Sequence, residues 1–162
     1  MTDCSDEPDE PEFPTEGRLL GLDYGTKRIG VAISTPEQSL ASPLENYTRR
    51  NVAVDAAVLR EIADEYGVVG LVVGLPLHMH GEEGAKAREA REFGAWASSA
   101  TSRPVTYWDE RLTTASAQVA LHQAGMSAAQ SRGRLDMIAA QIMLQAYLDR
   151  VRESPSDTKE PQ

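Results

Sequence analysis

Apolar positions recur along the chain in short runs typical of strands, separated by segments with helical spacing. Strand-like runs cover residues 18–23, 28–34, 39–47, 68–77 and 104–108. The first two are separated only by a short segment that begins Tyr24-Gly25, which predicts a β-hairpin. The fourth run is apolar throughout, as expected of a central parallel strand that is covered on both faces.

Helical spacing appears between and after these runs. Asn51 is a suitable N-cap for a helix that reaches Tyr66 and ends at Gly67. Its predicted apolar face contains Val54, Val58, Leu59, Ile62 and Ala63. Further helices are predicted over 82–99 and from Thr113 or Thr114 to Gly125. A last helix reaches Leu148, with an apolar face made of Leu135, Ile138, Ala139, Ile142 and Ala146.

The predicted order is β-β-β-α-β-α-β-α-α. A hairpin followed by βα units indicates an α/β fold with a mixed five-stranded sheet flanked by helices. A chain of 162 residues with 41% hydrophobic residues suits one domain. We expect a disordered acidic tail over 1–16, a folded domain over 17–151 and a second disordered tail over 152–162.

Composition also bears on location and partners. No apolar run is long enough to cross a bilayer and the N-terminus lacks a secretory pattern, so we expect a cytoplasmic protein. The single cysteine, Cys4, excludes an intrachain disulfide. The net charge of −9 is unfavourable for binding nucleic acid, but seven of the 25 acidic residues lie in residues 1–16 without a basic residue. Residues 17–150 hold 15 acidic and 14 basic residues, a net charge of −1.

Three carboxylates are positioned to meet at one edge of the predicted sheet. Asp23 ends the first strand, and Glu110 follows the fifth, so both lie at the same edge if those strands are parallel. Asp136 lies near the start of the last helix, one turn before Ala139-Ala140, whose small side chains would let the helix approach the sheet. Taken singly, an acid at a strand end is more often a capping or surface residue.

Such a cluster predicts phosphoryl-transfer chemistry. Carboxylates brought together raise one another's pKa unless a cation compensates their charge. Oxygen ligands select Mg²⁺ or Mn²⁺, and a pair of these ions can activate water and stabilise the leaving oxygen in phosphodiester cleavage.

Three segments carry a resemblance to a known family. They are GLDYGTKRIGVAIS (21–34), VVGLPLHMHGEEG (72–84), and WDERLTT (108–114) with RLDMIAAQIMLQAYLD (134–149). Together they resemble the YqgF family, described as pre-16S ribosomal RNA nucleases and earlier proposed as Holliday junction resolvases. The resemblance covers about residues 18–150 and implies a ribonuclease H-like fold, with Asp23, Glu110 and Asp136 as catalytic residues that hold the metal ions.

The resemblance also has a departure. His78 falls where the family usually has Asn or a small polar residue, and His80 where it often has an acidic or polar one. A His-x-His pair could bind a transition metal, but loop variation near the substrate is the favoured interpretation. In place of the acid that junction resolvases carry after the fourth strand, this chain has Gly74-Leu75-Pro76-Leu77, so Glu110 must supply that carboxylate.

Candidate substrate-binding residues are basic and lie near the three acids. They are Lys27, Arg28, Arg111, Arg132 and Arg134. Arg132 and Arg134 flank Gly133, which suggests a mobile basic loop over the site. Arg49-Arg50 is interpreted as plain surface, and Trp108 as a core residue rather than a platform for stacking a base.

Several functions remain open from the sequence. The first is a Mg²⁺- or Mn²⁺-dependent nuclease, monomer or homodimer, with pre-16S rRNA as the substrate that the resemblance implies. The second is a resolvase of branched DNA, which would act as a symmetric dimer. DYGT also resembles the first phosphate loop of actin-like ATPases, which need more than twice this length. A non-catalytic nucleic-acid-binding protein is disfavoured because all three acids are present.

Overall fold

The computed structural model describes residues 13–76, 84–112 and 128–153, and in the last stretch it describes side chains over 137–152. Its elements are β1 (Leu19–Asp23), β2 (Arg28–Ser34), β3 (Ala41–Thr48), α1 (Val52–Tyr66), β4 (Gly70–Leu75), α2 (Ala85–Thr101), β5 (Val105–Asp109), a 3-10 turn (Glu110–Leu112) and α3 (Ala128–Glu153). The helix predicted to end at Gly125 lies outside the described residues. The other predicted elements are all present, in the predicted order.

The five strands form one mixed sheet in the order β3-β2-β1-β4-β5. β1 pairs antiparallel with β2, and β2 with β3, as the predicted hairpin requires. β1 pairs parallel with β4, and β4 with β5. The carboxyl ends of β1, β4 and β5 therefore share one edge of the sheet, which confirms the expected arrangement.

Local signals at both ends of α1 act as predicted. The Asn51 side chain accepts a hydrogen bond from the Val54 amide at 2.9 Å, and Gly67 ends the helix in the left-handed conformation (φ 64°). Because the Val68 amide still bonds to the Ala63 carbonyl, Val68 belongs to the helix end. β4 consequently starts at Gly70, later than the apolar run predicted.

Two cores cover the two faces of the sheet. On one face, side chains of β1, β2 and β4 pack against α1 and α2, and on the other they pack against α3. Trp108 is buried in the second core, as predicted. In α1, Val54 is exposed and Asp55 is buried, which reverses the predicted face at these two positions. Among the residues that the structure describes, no helix has both the length and the apolar character needed to cross a membrane.

The buried face of α3 differs from the predicted one. Its buried side chains are Ala140, Met143, Leu144 and Leu148, whereas Ile138, Ala139 and Ile142 are only partly buried. This helix has apolar residues on several sides, so spacing alone does not select the buried stripe. The sheet selects it, because Gly21 leaves room there for Ala140 and Leu144.

The expected basic loop before Asp136 is also corrected. α3 begins at Ala128, so Arg132 and Arg134 lie within the helix rather than in a loop. A single glycine at position 133 costs only about 1 kcal/mol in a helix interior, and the preceding Ala128, Ala129 and Gln130 include strong helix formers.

Candidate nuclease site

Asp23 is the last residue of β1 and lies on the face of the sheet that α3 covers. Side chains alternate along a strand, so Asp23 shares its face with Gly21, two residues earlier. A Cβ atom at Gly21 would lie 3.0 Å from the Leu144 side chain of α3. The adjacent residue, Leu22, is buried on the opposite face. The strand thus directs this carboxylate toward α3 at the carboxyl edge of the sheet.

Glu110 extends its carboxylate over Gly74 of the central strand. A Cβ atom at Gly74 would lie only 2.6 Å from Oε2 of Glu110. Gly74 shares its face with Val72, which packs in the core beneath α3. Leu22 pairs with Val73, so Asp23 is level with Gly74 on the adjacent strand, and adjacent strands lie about 4.8 Å apart. Asp23 and Glu110 therefore occupy neighbouring places on one face of the sheet.

The electrostatic environment of Glu110 disfavours its charged form. Burial raises the pKa of the Glu110 carboxyl, and the negative charge of Asp109 raises it further. Asp109 itself has a lowered pKa because Arg111 donates hydrogen bonds to it. Arg111 Nη2 lies 2.6 Å from Asp109 Oδ2, and Arg111 Nε lies 3.0 and 3.1 Å from the two carboxylate oxygens. Arg111, predicted to bind substrate, thus has its charge offset by Asp109.

The direction in which α3 crosses the sheet determines where Asp136, the third predicted acid, lies. Gln145 accepts a hydrogen bond from the Ala41 amide at 2.8 Å, at the start of β3, and the Ala140 carbonyl lies against Gly21. The helix therefore runs toward the Asp23 end of β1 as residue numbers fall. Asp136, four residues before Ala140, is a helical residue about 6 Å farther in that direction. Its side chain lies outside the described residues.

An unpartnered oxygen lies on the same row of the sheet. The side-chain Oδ1 of Asn46 is buried without a hydrogen-bond partner. Asn46 pairs with Gly30, which pairs with Asp23, and it alternates with Tyr47, whose side chain packs in the α1 core. Asn46 therefore faces α3, as Asp23 does. In the sequence, its signal is faint, a polar position within a strand.

The side-chain oxygens of Asp23, Glu110 and Asn46 are ligands that suit a hard divalent cation. Oxygen ligands are what Mg²⁺ and Mn²⁺ prefer, and a cation would relieve the unfavourable ionisation of Glu110. Among the described residues, no group of three or more histidine, cysteine, aspartate or glutamate side chains lies together. The predicted set also includes Asp136, whose side chain is not among them.

The remaining predicted site residues fall into two groups. Lys27 and Arg28 line a cleft beside the β1–β2 turn. The side chains of Arg132 and Arg134 lie outside the described residues, and so do His78 and His80. Arg49, interpreted from the sequence as plain surface, is instead partly buried, and its Nε lies 3.4 Å from Asp55 Oδ2.

Sequence comparison relates the chain to named nucleases. It is 45% identical over 134 residues to a protein of Moorella thermoacetica, covering 83% of this chain and 96% of that protein. It is 40% identical over 143 residues to a protein of Rhodopirellula baltica, covering 88% of this chain and 83% of that protein. Both carry the name "Putative pre-16S rRNA nuclease".

Comparison of folds gives a consistent result. The junction-bound RuvC of T. thermophilus matches with a TM-score of 0.57 and 14% sequence identity, covering 85% of this chain and 96% of that one. The unbound Thermus thermophilus RuvC matches with a TM-score of 0.54 and 15% identity, covering 84% and 96%. The predicted ribonuclease H-like fold is thereby confirmed. The family model described as "RuvX: Holliday junction resolvase" matches residues 17–150, so the chain belongs to the RuvX family, also called YqgF.

Proposed function

We propose that this protein is a divalent-metal-dependent nuclease that hydrolyses phosphodiester bonds, with Asp23, Glu110 and Asp136 as its catalytic carboxylates. The observation that carries the proposal is the position of the Glu110 carboxylate over Gly74, on the strand next to Asp23. Asp136 lies on α3, the helix that packs on this face of the sheet, and we propose it as the third acid. Family membership supports the same activity.

The chain's own groups account for how the site works. Asp23 ends β1 and Glu110 directly follows β5, so the sheet holds both carboxylates near their final positions before substrate arrives, which lowers the entropic cost of assembling the site. Mg²⁺ or Mn²⁺, when bound by these carboxylates, would supply an activated water and stabilise the charge on the leaving oxygen. The partial burial of Glu110 reduces its contact with bulk water and strengthens its attraction to a cation.

The substrate proposed is pre-16S rRNA, because the relatives named above carry that substrate in their name. We place the proposed cleavage at its 5′ end. A four-way DNA junction is a second candidate, favoured by the description of the family. Resolvases cut two strands as symmetric dimers. If the protein sediments as a dimer and cuts two strands of a junction symmetrically, this would support the second candidate over the first.

The test is cleavage of precursor rRNA and of a four-way junction by the wild type and by Asp23→Asn. We expect Mg²⁺ or Mn²⁺ to support cleavage and chelator to abolish it. Asp23→Asn should lower the rate about 100-fold or more, the scale seen when one transition-state-stabilising group is removed.

The matched control is Asp149→Asn, the same chemical change at a half-exposed carboxylate near the far end of α3. It should cleave like the wild type. Full activity of a folded Asp23→Asn protein, or cleavage that persists in chelator, would contradict the assignment.

A further inference from the structure

A cleft of about 480 Å³ opens beside the β1–β2 turn, where β3 leads into α1. Basic and hydroxyl side chains from three segments surround it. Its lining residues are Thr26, Lys27, Arg28, Thr48, Arg49, Arg50, Asn51, Val52 and Asp55. Family membership assigns no role to this cleft, and the carboxylates of the nuclease site lie outside it.

The cleft carries an excess of positive charge. Four of its lining residues are basic and one, Asp55, is acidic, which leaves a net charge of +3. The whole chain, by contrast, has a net charge of −9. Such a local concentration of positive charge in a recess attracts anions despite the acidic average.

The acidic residue in the cleft is committed to internal bonds. Asp55 is buried and accepts hydrogen bonds from the Tyr47 hydroxyl at 2.6 Å and the Arg50 amide at 2.9 Å. Its other oxygen lies 3.4 Å from Arg49 Nε. Asp55 therefore fixes the backbone of the segment that carries the basic residues.

Arg49 holds the two sides of the cleft together. Its Nη1 donates to the Gly25 carbonyl at 3.3 Å, and its backbone amide donates to the Lys27 carbonyl at 2.9 Å. Its guanidinium lies over the Tyr24 ring, 5.6 Å from the centroid. The turn that carries Lys27 is thus tied to the segment that carries Arg50, and both of these side chains are exposed. The positive N-terminal end of α1 adds to the same recess.

The cleft lies close to the catalytic edge. Asp23 pairs with Gly30 of β2, and Arg28 is two residues from Gly30 in the same strand. Arg28 and Asp23 are therefore offset by about 7 Å along the strand direction. Arg28 alternates with Ile29, which packs in the α1 core, so Arg28 lies on the same face of the sheet as Asp23. Asp55, at the start of α1, lines the cleft from the opposite side of the sheet.

We propose that this cleft binds backbone phosphates of the nucleic-acid substrate on one side of the scissile bond. The inference rests on the proposed nuclease function. Lys27 and Arg50 supply the exposed charges, while Arg49 and Asp55 are positioning residues. The contacts are with phosphates, so they hold the strand without reading its sequence.

The experiment measures binding rather than cleavage. A fluorescent single-stranded RNA is titrated by anisotropy with Asp23→Asn protein, with and without Lys27→Ala and Arg50→Ala, over a range of NaCl concentrations. For single strands, each phosphate that the protein neutralises adds about 0.7 to the steepness of log K against log salt. We expect the double substitution to reduce the slope by about 1.4. It should weaken the binding of RNAs of unrelated sequence to the same extent.

The control is Arg150→Ala, which removes an exposed arginine at the end of α3 distant from the cleft. It should leave the slope unchanged. An unchanged slope in the Lys27→Ala/Arg50→Ala protein, with the same thermal midpoint as the parent, would overturn the inference. Because the assay uses the Asp23→Asn protein, a failed cleavage prediction would leave this result readable: the slope reports the cleft and the cleavage rate reports the carboxylates.

Discussion

At the residue scale, a missing side chain makes room for the Glu110 carboxylate. Gly74 lies in a strand whose other residues are mostly large and apolar, and the space that its Cβ would fill holds Oε2 of Glu110. The sequence shows this glycine only as an interruption of an apolar run. The close contact of Gly74 with Glu110 arises because β5 pairs with β4.

Gly74→Ala should therefore damage activity without damaging the fold. The added Cβ would lie 2.6 Å from Oε2, the far end of a flexible side chain, so the carboxylate can move while the strand stays in place. A displacement of about 1 Å in a catalytic group costs about 100-fold in rate. Cleavage rate and thermal midpoint are measured together.

Gly70→Ala is the control on the same face of the same strand. Its Cβ would lie 2.8 Å from the Phe13 ring, at the other end of β4. We expect it to keep the cleavage rate at temperatures where it is folded. Equal activity of Gly74→Ala and wild type would show that the position of Glu110 does not matter for catalysis.

Asp55 is a buried carboxylate that the apolar pattern of α1 did not predict. Burial by itself raises its pKa, but hydrogen bonds from Tyr47, the Arg50 amide and Arg49 outweigh this and lower the pKa. Burial and the same bond raise the pKa of Tyr47 to about 12. Asp55 is thus ionised in the folded protein and holds the loop between β3 and α1.

This lowered pKa predicts a loss of stability in acid. A carboxyl with a lower pKa in the folded state than in the unfolded state, where it is about 3.9, stabilises the fold above that value. The contribution is lost as the pH falls through the lowered folded pKa. Urea unfolding between pH 6 and pH 2.5 should show this loss in the wild type.

In Asp55→Asn the same experiment should give a flatter acid dependence. The free energy of unfolding at pH 7 should be lower by about 1–3 kcal/mol, since hydrogen bonds to a buried charge are removed. An acid profile as steep as that of the wild type would mean that other carboxyls control acid unfolding.

At the element scale, α3 is held against the sheet by polar and apolar contacts that the sequence did not specify. Gln145 and Gln141 bond to the backbone of Ala41, and Gln145 also donates to the Ser39 carbonyl. Gly21 allows Leu144 to approach β1 closely. These contacts decide which stripe of the helix is buried. Ala146 packs against this core as predicted, but the prediction was wrong at Ile138, Ala139 and Ile142, because apolar residues occupy more than one side of the helix.

Gly21→Val tests the close approach of α3. A Cβ at this position already lies 3.0 Å from Leu144 Cβ and 3.4 Å from the Ala140 carbonyl oxygen, and valine adds two methyl groups. Overpacking of this kind costs about 1–3 kcal/mol. We expect a matching fall in the free energy of unfolding, and a fall in cleavage rate because α3 carries Asp136.

Leu144→Ala in the same protein supplies the control. By itself it should destabilise, but combined with Gly21→Val it removes part of the clash, so the two effects should be less than additive. Strict additivity would indicate that Gly21 and Leu144 do not limit how closely α3 packs.

At the scale of the whole molecule, charge is distributed unevenly. Residues 1–12 hold six acidic residues and no basic one, so removing them changes the net charge from −9 to −3. Residue 13 onward retains Phe13, whose ring packs against Tyr147. We expect this negative charge to oppose the approach of a polyanion to the protein.

Deletion of residues 1–12 should therefore raise the affinity for RNA at low salt. We expect an increase of several-fold at about 30 mM NaCl that disappears near about 0.5 M, because the Debye length shortens from more than about 10 Å to about 4 Å. The measurement is fluorescence anisotropy with the Asp23→Asn protein at both salt concentrations. A gain that persists at high salt would point to a contact other than charge repulsion.

The sequence by itself determined the order of elements, the hairpin start, the capping of α1 and the mixed sheet, because these depend on local spacing and turn chemistry. Its motifs also identified the family. Only the tertiary structure decided that Glu110 lies over Gly74, that Arg111 is paired with Asp109, and that Asp55 and Arg49 build a basic cleft. The first contact depends on which strands become neighbours, and Arg49 closes the cleft by reaching the carbonyl of Gly25, which is distant in the chain, so neither leaves a local signal in the sequence. The Asp109–Arg111 pair is local, but spacing alone does not decide whether Arg111 turns to Asp109 or to a substrate.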